Sequence, residues 1–371
     1  MRFHLLGLAH TKTNADFSCC AYTQKVAKLA RMLPQIGETI HYGAEGSVVP
    51  CEHVTVISDE EQEGVYGRWD WRADYNHSAV EDLANAIFKD RAEAAIRERV
   101  QPGDFLLVTF GNYQRALADA LAVPLTVESG IGYEGLFARF RVFESYAWMH
   151  YMYGRMDVAD GCWYDAVIPN YFDPADFQFQ PKAADRPEAY LLYVGRLIER
   201  KGIAVAMQVA AAAGMRLVVA GPGDPALLGI STHPSVRFVG PVQPTQRSVL
   251  MGAATALLAP TTYIEPFGGV AVEAQMCGTP VITTDWGAFT ETVEHGVTGF
   301  RCRTFDDFLF AVRTAPRLDR RAIRERAVRL YSLERATQMY REYFSKLADM
   351  AREGWYAEHP ERTNLDWLRA T

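Results

Sequence analysis

A chain of 371 residues, 49% hydrophobic and 12% aromatic, exceeds a usual single domain and can build two substantial cores. Its 38 basic and 45 acidic residues leave a formal charge of −7, the wrong sign for holding polyanions by bulk electrostatics, so any nucleic-acid or anionic-membrane contact has to be a local patch. Six scattered cysteines, without a C-x-x-C pair or zinc spacing, read as reducing-compartment usage, and no apolar run suits a signal peptide or a membrane span; the expectation is a soluble cytoplasmic protein.

Along the chain, short apolar runs alternate with longer amphipathic or Ala-rich segments, the pattern of strand–helix units in a parallel sheet, so the expected class is α/β. Phe3 to Leu8 reads as a strand, followed by a polar loop to Ser18 and a helix from Ala21 to Leu33. Val54 to Ile57, Phe105 to Phe110 and Leu125 to Val127 read as further strands, with a helix over Ser78 to Arg99. Prolines and turn formers from Ile168 to Pro174, then polar Gln178 to Pro187, mark a linker. A second series runs through strands at Tyr190, Arg216, Val236, Ala256 and Val281, with helices over Ile203 to Ala213, Pro244 to Ala253 and Gly269 to Met276. The expected domains are residues 1–175, a linker over 176–188, and residues 189–345. The tail Leu318 to Leu347 is helical in pattern, and residues 346–371 are expected to return across the first domain.

The most informative segment is Glu265-Pro266-Phe267-Gly268-Gly269, followed by Glu273-Ala274 and Gly278-Thr279-Pro280-Val281. A strand leads into a loop that Pro266 keeps from becoming helix, and Gly268-Gly269 open a helix that ends at Gly278. Such a start offers unpaired backbone N–H groups under a glycine surface, suited to a pyrophosphate or sugar hydroxyls, with two carboxylates framing it. Two glutamates at this spacing are by themselves weak evidence; the whole string is specific.

This segment resembles the hallmark of the retaining GT-B glycosyltransferases of family 4, Glu followed by seven residues and a second Glu. The resemblance implies two Rossmann-like domains facing each other across a cleft, with residues 1–175 on the acceptor side and 189–345 holding the donor. It implies that Glu265 contacts donor-sugar hydroxyls, that Phe267, Gly268 and Gly269 offer backbone N–H groups, and that Glu273 binds the ribose. Gly195-Arg196 and Lys201-Gly202 match the family's basic pair; Gly195 permits a tight turn, and Arg196 and Lys201 neutralise the diphosphate in place of a metal. Arg200 reads as solvated. Val236 to Val242, including Val239, resembles the segment whose main chain holds the base.

The amino-terminal half departs from the pattern, lacking both the paired glycines of the family's first loop and its usual histidine. Lys12, in the loop after the first strand, stands between a diphosphate contact and a solvated turn. Glu128, where the histidine is expected, opens a glycine-spaced loop that suits an acceptor or sugar lip. His150, in an aromatic-rich run, is the nearest substitute for that histidine, against a core role. Trp71, in a loop with Trp69, is an acceptor-stacking candidate. The Arg-rich stretch from Arg313 to Arg329 reads as a solvated helix face.

Gly221-Pro222-Gly223-Asp224-Pro225-Ala226 formally fits a dinucleotide fingerprint but is followed by loop instead of helix. The function implied is retaining transfer from a nucleotide-diphosphate sugar, UDP-sugars ahead of GDP-sugars, with no further cofactor and no metal. The hydroxyl acceptor stays open among a soluble glycan, a glycoside and a modified nucleobase. The helix from Ala21 carries only Lys25, Lys28 and Arg31, which favours a soluble acceptor over a membrane-bound transferase of envelope glycan synthesis. A non-catalytic nucleotide-sugar-binding protein on the same scaffold remains the non-enzyme alternative.

Overall fold

The computed structural model describes residues 1–18, 20–68, 70, 78–184, 188–226, 229–230 and 234–352. Trp71, its neighbour Trp69 and residues 353–371 of the carboxyl-terminal segment lie outside the described residues.

Two parallel sheets organise the chain. Strands β1 (Arg2–Leu6), β2 (Glu38–Ala44), β3 (Glu52–Ile57), β4 (Phe105–Val108), β5 (Leu125–Ile131), β6 (Phe140–Phe143) and β7 (Asp165–Val167) form the first, in the order β3-β2-β1-β4-β5-β6-β7. Strands β8 (Tyr190–Val194), β9 (Arg216–Ala220), β10 (Val236–Gly240), β11 (Ala256–Ala259), β12 (Val281–Thr284) and β13 (Gly299–Cys302) form the second, in the order β10-β9-β8-β11-β12-β13. Central strands such as β4 (Phe-Leu-Leu-Val) and β8 (Tyr-Leu-Leu-Tyr-Val) are apolar throughout because helices cover both faces of a parallel sheet. In each sheet the order reverses beside its first strand, at β1/β4 and at β8/β11, and open α/β sheets bind ligands outside the carboxyl ends of strands at such points.

The sequence pattern misses β2, β6, β7 and β13. In β2 the apolar run is broken by Thr39, His41 and Gly43, yet Thr39 and His41 are buried, His41 bonding Thr13 Oγ1 at 3.1 Å and His53 Nδ1 at 2.9 Å. Strands β6, β7 and β13 are only three or four residues long, and each carries a charged residue.

The helix Ala21–Met32 packs Val26, Leu29, Ala30 and Met32 against Phe3, Leu5, Phe105 and Leu107 of the first sheet. The helix Leu333–Arg352 joins the same core through Ala336, Met339, Tyr340, Tyr343, Phe344 and Leu347, with the Phe344 ring 4.9 Å from Phe3 and 5.1 Å from Phe105. The return to the first domain therefore begins at Leu333 and not at 346. The apolar stripe of that helix, spaced three and four residues apart, belongs to the first core from its first turn. Outgoing and returning segments lie side by side, Phe172 N–H donating to Tyr331 O at 2.9 Å and Leu333 N–H to Phe172 O at 2.8 Å.

The helical tail is split at Ser332 into Arg320–Tyr331 and Leu333–Arg352, and its arginines are not all solvated. Arg320 is buried and donates to Gln180 O at 2.9 Å, Ala254 O at 3.0 Å and Gly252 O at 2.6 Å, a carbonyl cage at the end of the Pro244–Ala253 helix. Burial lowers its pKa to about 10. Among the described residues no helix is long and apolar enough to cross a membrane.

Candidate active site

The loops after the strand carboxyl ends of both sheets meet in a cleft of about 730 Å³. On the carboxyl-terminal side it is lined by Val194 to Arg196, Arg200 and Lys201 after β8, Ala220 to Pro222 after β9, Pro241 to Gln243 after β10, and Tyr263 to Gly269 after β11. On the amino-terminal side the lining is Asp16, Ser18, Tyr22 and Lys25 after β1, Gly132 to Glu134 after β5, and Glu144, Trp148 and Tyr151 after β6.

The turn after β8 is held by main-chain bonds. Gly195 N–H donates to Ala220 O at 3.0 Å, Leu197 N–H to Pro222 O at 2.9 Å, and Tyr193 Oη to Arg196 O at 2.9 Å. This presents Arg196 to the cleft, while Lys201 ends a short 3-10 turn whose neighbour Arg200 accepts from Thr262 N–H at 2.9 Å. Lys201 Nζ lies 2.8 Å from Glu265 Oε2. Both Arg200 and Lys201 stand over the Tyr263 ring, at 5.0 and 4.8 Å from its centroid. Arg200 is exposed, as expected of a solvated residue, yet it also lines the cleft. Burial, and then the Glu265 carboxylate, push the Tyr263 hydroxyl well above its ordinary pKa.

Gly268 caps the Gly269–Met276 helix with φ of +74°, and a Cβ there would collide with the Phe289 ring, so both backbone and space require glycine. The helix is buried almost all round, and Glu273, in its second turn, is buried against the cleft. Its carboxylate is held from both sides by Arg247 of the Pro244–Ala253 helix, Nε to Oε2 at 2.9 Å and Nη2 to Oε1 at 3.1 Å, a two-bond fork. Phe267 lines the same opening while packing with Phe172 and Tyr331.

Arg196, Lys201, Glu265, Glu273, Phe267, Gly268, Gly269 and Gly195 thus converge. Val239 does not: it packs into the domain core, and the lip beyond β10 is made by Pro241, Val242 and Gln243. Lys12 pairs with Asp59 at 2.7 Å, away from the cleft lining. Glu128 lies inside β5, not in a loop, and is fully buried; its carboxylate accepts from Phe137 N–H and Ala138 N–H at 3.1 Å and from Tyr133 Oη at 3.2 Å, and burial raises its pKa. His150 is exposed on the Tyr146–Arg155 helix beside Tyr146 and Tyr153; from that helix Trp148 and Tyr151 line the cleft instead.

Sequence reading misses Arg247, Tyr22, Asp16, Glu144 and the role of the basic stripe on the Ala21–Met32 helix. Lys25 Nζ donates to Gly130 O at 2.5 Å and lies 3.4 Å from Glu144 Oε1. Lys28 Nζ donates to Asn170 Oδ1 at 2.8 Å, over the Phe172 ring at 3.8 Å, and burial lowers its pKa to about 8. Arg31 pairs with Asp173 at 2.6 Å. These cations stand three residues apart along the helix, and their partners lie on the crossing segment and on the amino-terminal wall of the cleft.

The domains also touch directly. Ser145 Oγ donates to Pro266 O at 2.6 Å, and Glu291 accepts from Tyr146 N–H at 3.0 Å and Ala147 N–H at 2.8 Å, capping a helix of the other domain. Gly132 lets its loop close on this contact, since a Cβ there would lie 2.5 Å from Glu144 Oε2 and 3.1 Å from Pro266 Cβ. Among the described residues no three His, Cys, Asp or Glu side chains cluster as metal ligands would.

Residues 174–315 match the family model Glycosyl transferases group 1. A glycogen synthase of Mycobacterium tuberculosis (strain CDC 1551 / Oshkosh) is 34% identical over 174 residues, covering 44% of this chain and 42% of the synthase. The chain thus matches less than half the length of that relative. The crystal structure of AviGT4, a glycosyltransferase involved in avilamycin A biosynthesis, matches 94% of this chain and 98% of its own with a TM-score of 0.68 at 21% identity. That of Anabaena Alr3699/HepE in complex with UDP-glucose covers 93% and 99% with a TM-score of 0.65 at 15% identity. The chain carries a glycosyl transferases group 1 domain on a GT-B fold. In GT-B terms, the second sheet and its loops are the group 1 domain, and the first sheet is the wall opposite it.

Proposed function

We propose that the chain is a retaining glycosyltransferase of family 4 that moves a sugar from a nucleotide-diphosphate sugar to a hydroxyl acceptor without a metal. The observation that carries this reading is the convergence of Arg196, the Lys201–Glu265 pair, the Arg247–Glu273 pair and the Gly268-Gly269 helix start on one interdomain cleft. Arg196 and Lys201 neutralise the diphosphate as its charge grows, assisted by first-turn amides that have no partner within their own helix. Glu265 accepts hydrogen bonds from donor-sugar hydroxyls, and its contact with Lys201 ties the sugar to the leaving group. Glu273 accepts from the ribose. UDP is placed ahead of GDP as the nucleotide, supported by the fold shared with a protein solved with UDP-glucose.

The bond from the anomeric carbon to the phosphate oxygen breaks, and the acceptor oxygen bonds that carbon from the same face. The departing phosphate oxygen takes the acceptor's proton, so no protein base is required. Closure at Ser145 and Pro266 keeps water from the exposed anomeric carbon.

Titration calorimetry with UDP, GDP and ADP, followed by turnover of the corresponding glucose donors, tests this. UDP binds the wild type; Lys201→Ala weakens it by roughly tenfold or more, and Glu265→Ala lowers turnover by about two to three orders of magnitude with UDP affinity nearly kept. Proton NMR of the product reports the anomeric configuration. Absence of binding by every nucleotide diphosphate sinks the donor site, an inverted product sinks retention, and binding without turnover leaves the non-catalytic scaffold.

A further inference from the structure

Tyr263, on the loop after β11, draws two neighbouring cations to one ring. Arg200 and Lys201 are consecutive residues of a short 3-10 turn, where adjacent side chains project about 120° apart. Both nonetheless stand over Tyr263, at 5.0 and 4.8 Å from the ring centroid, and all three residues line the cleft. The ring is fixed through its backbone. Thr262 N–H and Oγ1 donate to Arg200 O at 2.9 and 3.3 Å, joining the Tyr263 loop to the 3-10 turn, and Trp286 Nε1 donates to Tyr263 O at 3.2 Å. Tyr263 is half-buried, whereas Arg200 is exposed and meets the cleft from its rim.

The cations of this wall are not equally compensated. Lys201 pairs with Glu265 at 2.8 Å and Arg247 with Glu273 at 2.9 Å. Among the described residues no carboxylate pairs with Arg200; its contact is the ring. An aromatic face attracts a guanidinium without neutralising it, and leaves in-plane N–H donors for an oxyanion. Tyr263 precedes Glu265 by two residues, so the ring lies at the Lys201–Glu265 end of the cleft, where the sugar and its adjoining phosphate are placed. The ribose is placed at the Arg247–Glu273 end.

We propose that Arg200 binds the terminal phosphate of the nucleoside diphosphate, and that Tyr263 is the positioning residue that holds it there beside Lys201. This rests on the donor reading above. When the bond from the anomeric carbon to the phosphate oxygen breaks, the electron pair stays on that oxygen. Arg200 meets the growing charge with a cation that no carboxylate has already engaged.

Calorimetry on the full chain at fixed salt compares UDP with UMP, which lacks the terminal phosphate. Wild type binds UDP more tightly than UMP. Arg200→Ala, a change at an exposed side chain, lowers the UDP-to-UMP affinity ratio at least about threefold, and UMP affinity falls less than about twofold. Tyr263→Leu also lowers the ratio at least about threefold, and Tyr263→Phe, which keeps the ring, holds it within about twofold of wild type. In the Arg200→Ala background Tyr263→Leu costs at least about twofold less than it does alone, because the two residues act together. A smaller fall in the ratio for Arg200→Ala, or equal weakening of UDP and UMP, overturns the proposal. Additive losses in the double variant, or a loss in Tyr263→Phe as large as in Tyr263→Leu, overturn the part given to Tyr263. Should Tyr263→Leu not fold, the ratio in Arg200→Ala still decides. Absence of UDP binding in wild type removes the donor site and this proposal with it, whereas wild-type UDP binding with the ratio kept in Arg200→Ala removes this proposal alone.

Discussion

Arg247 is where a single side chain decides how well a second one works. On the proposed reading Glu273 holds the ribose, and a carboxylate free to rotate would lose entropy on doing so; the Arg247 fork fixes its plane beforehand. Arg247→Met removes the fork and leaves a buried carboxylate without its cation. UDP affinity is expected to fall about tenfold, roughly 1.4 kcal/mol. Arg247→Lys restores only part of this, because an ammonium is a point charge and cannot bond both oxygens in one plane. Calorimetry at fixed salt reads both variants, and an unaltered affinity in Arg247→Met would mean that Glu273 needs no positioning. Nothing local marks Arg247 in the sequence: it sits on an ordinary helix, and its partner lies 26 residues along the chain. Glu128 fails for the converse reason. Gly130 and Gly132 make its surroundings read as loop, whereas the strand runs to Ile131 and turns the carboxylate onto two amides and a phenol.

At the scale of elements, the Tyr146–Arg155 helix couples the domains. Its own cap, Ser145, accepts from Trp148 N–H at 3.0 Å, and Glu291 of the other domain supplies a negative charge to the first-turn amides. Such a cap contributes on the order of 0.5–2 kcal/mol, enough to shift an open–closed equilibrium several-fold. Because Ser145 also holds Pro266, next to Glu265, the contact between the domains also fixes the loop that carries Glu265. Glu291→Ala is therefore expected to lower kcat about three- to tenfold while UDP affinity changes less than twofold, with Glu291→Gln between the two. An enlarged radius of gyration by X-ray scattering should accompany the loss. Equal losses in affinity and kcat would assign Glu291 to nucleotide binding instead of closure. The sequence shows the aromatic run on this helix but not its orientation. Trp148 and His150 differ by about 200° around the axis, and only packing decides which of them meets the cleft.

For the whole molecule, legibility follows burial. The second sheet reads almost strand by strand because its central strands are unbroken apolar runs, and its ligand loops carry glycines that the backbone requires. The first sheet reads less well at β2, since buried His41 there is satisfied by Thr13 and by His53 of the neighbouring strand. The same dependence on distant partners governs the last helix. Leu333–Arg352 follows the second domain in sequence but buries Met339, Tyr340, Tyr343, Phe344 and Leu347 in the first. At about 1.5–3 kcal/mol per large buried side chain, these five together are comparable to the roughly 5–15 kcal/mol that keeps a domain folded. A chain truncated after Ser332 is thus expected to lose the first domain and keep the second, whose core draws on none of those five residues. Hydrogen exchange followed by mass spectrometry reads each sheet separately. Protection should vanish over β1 to β7 and persist over β8 to β13, and the truncated chain should still bind UDP through the group 1 domain, weakened by no more than about tenfold. Equal protection of both sheets would show that the helix only decorates a domain complete without it, whereas loss of both would make the two domains one cooperative unit.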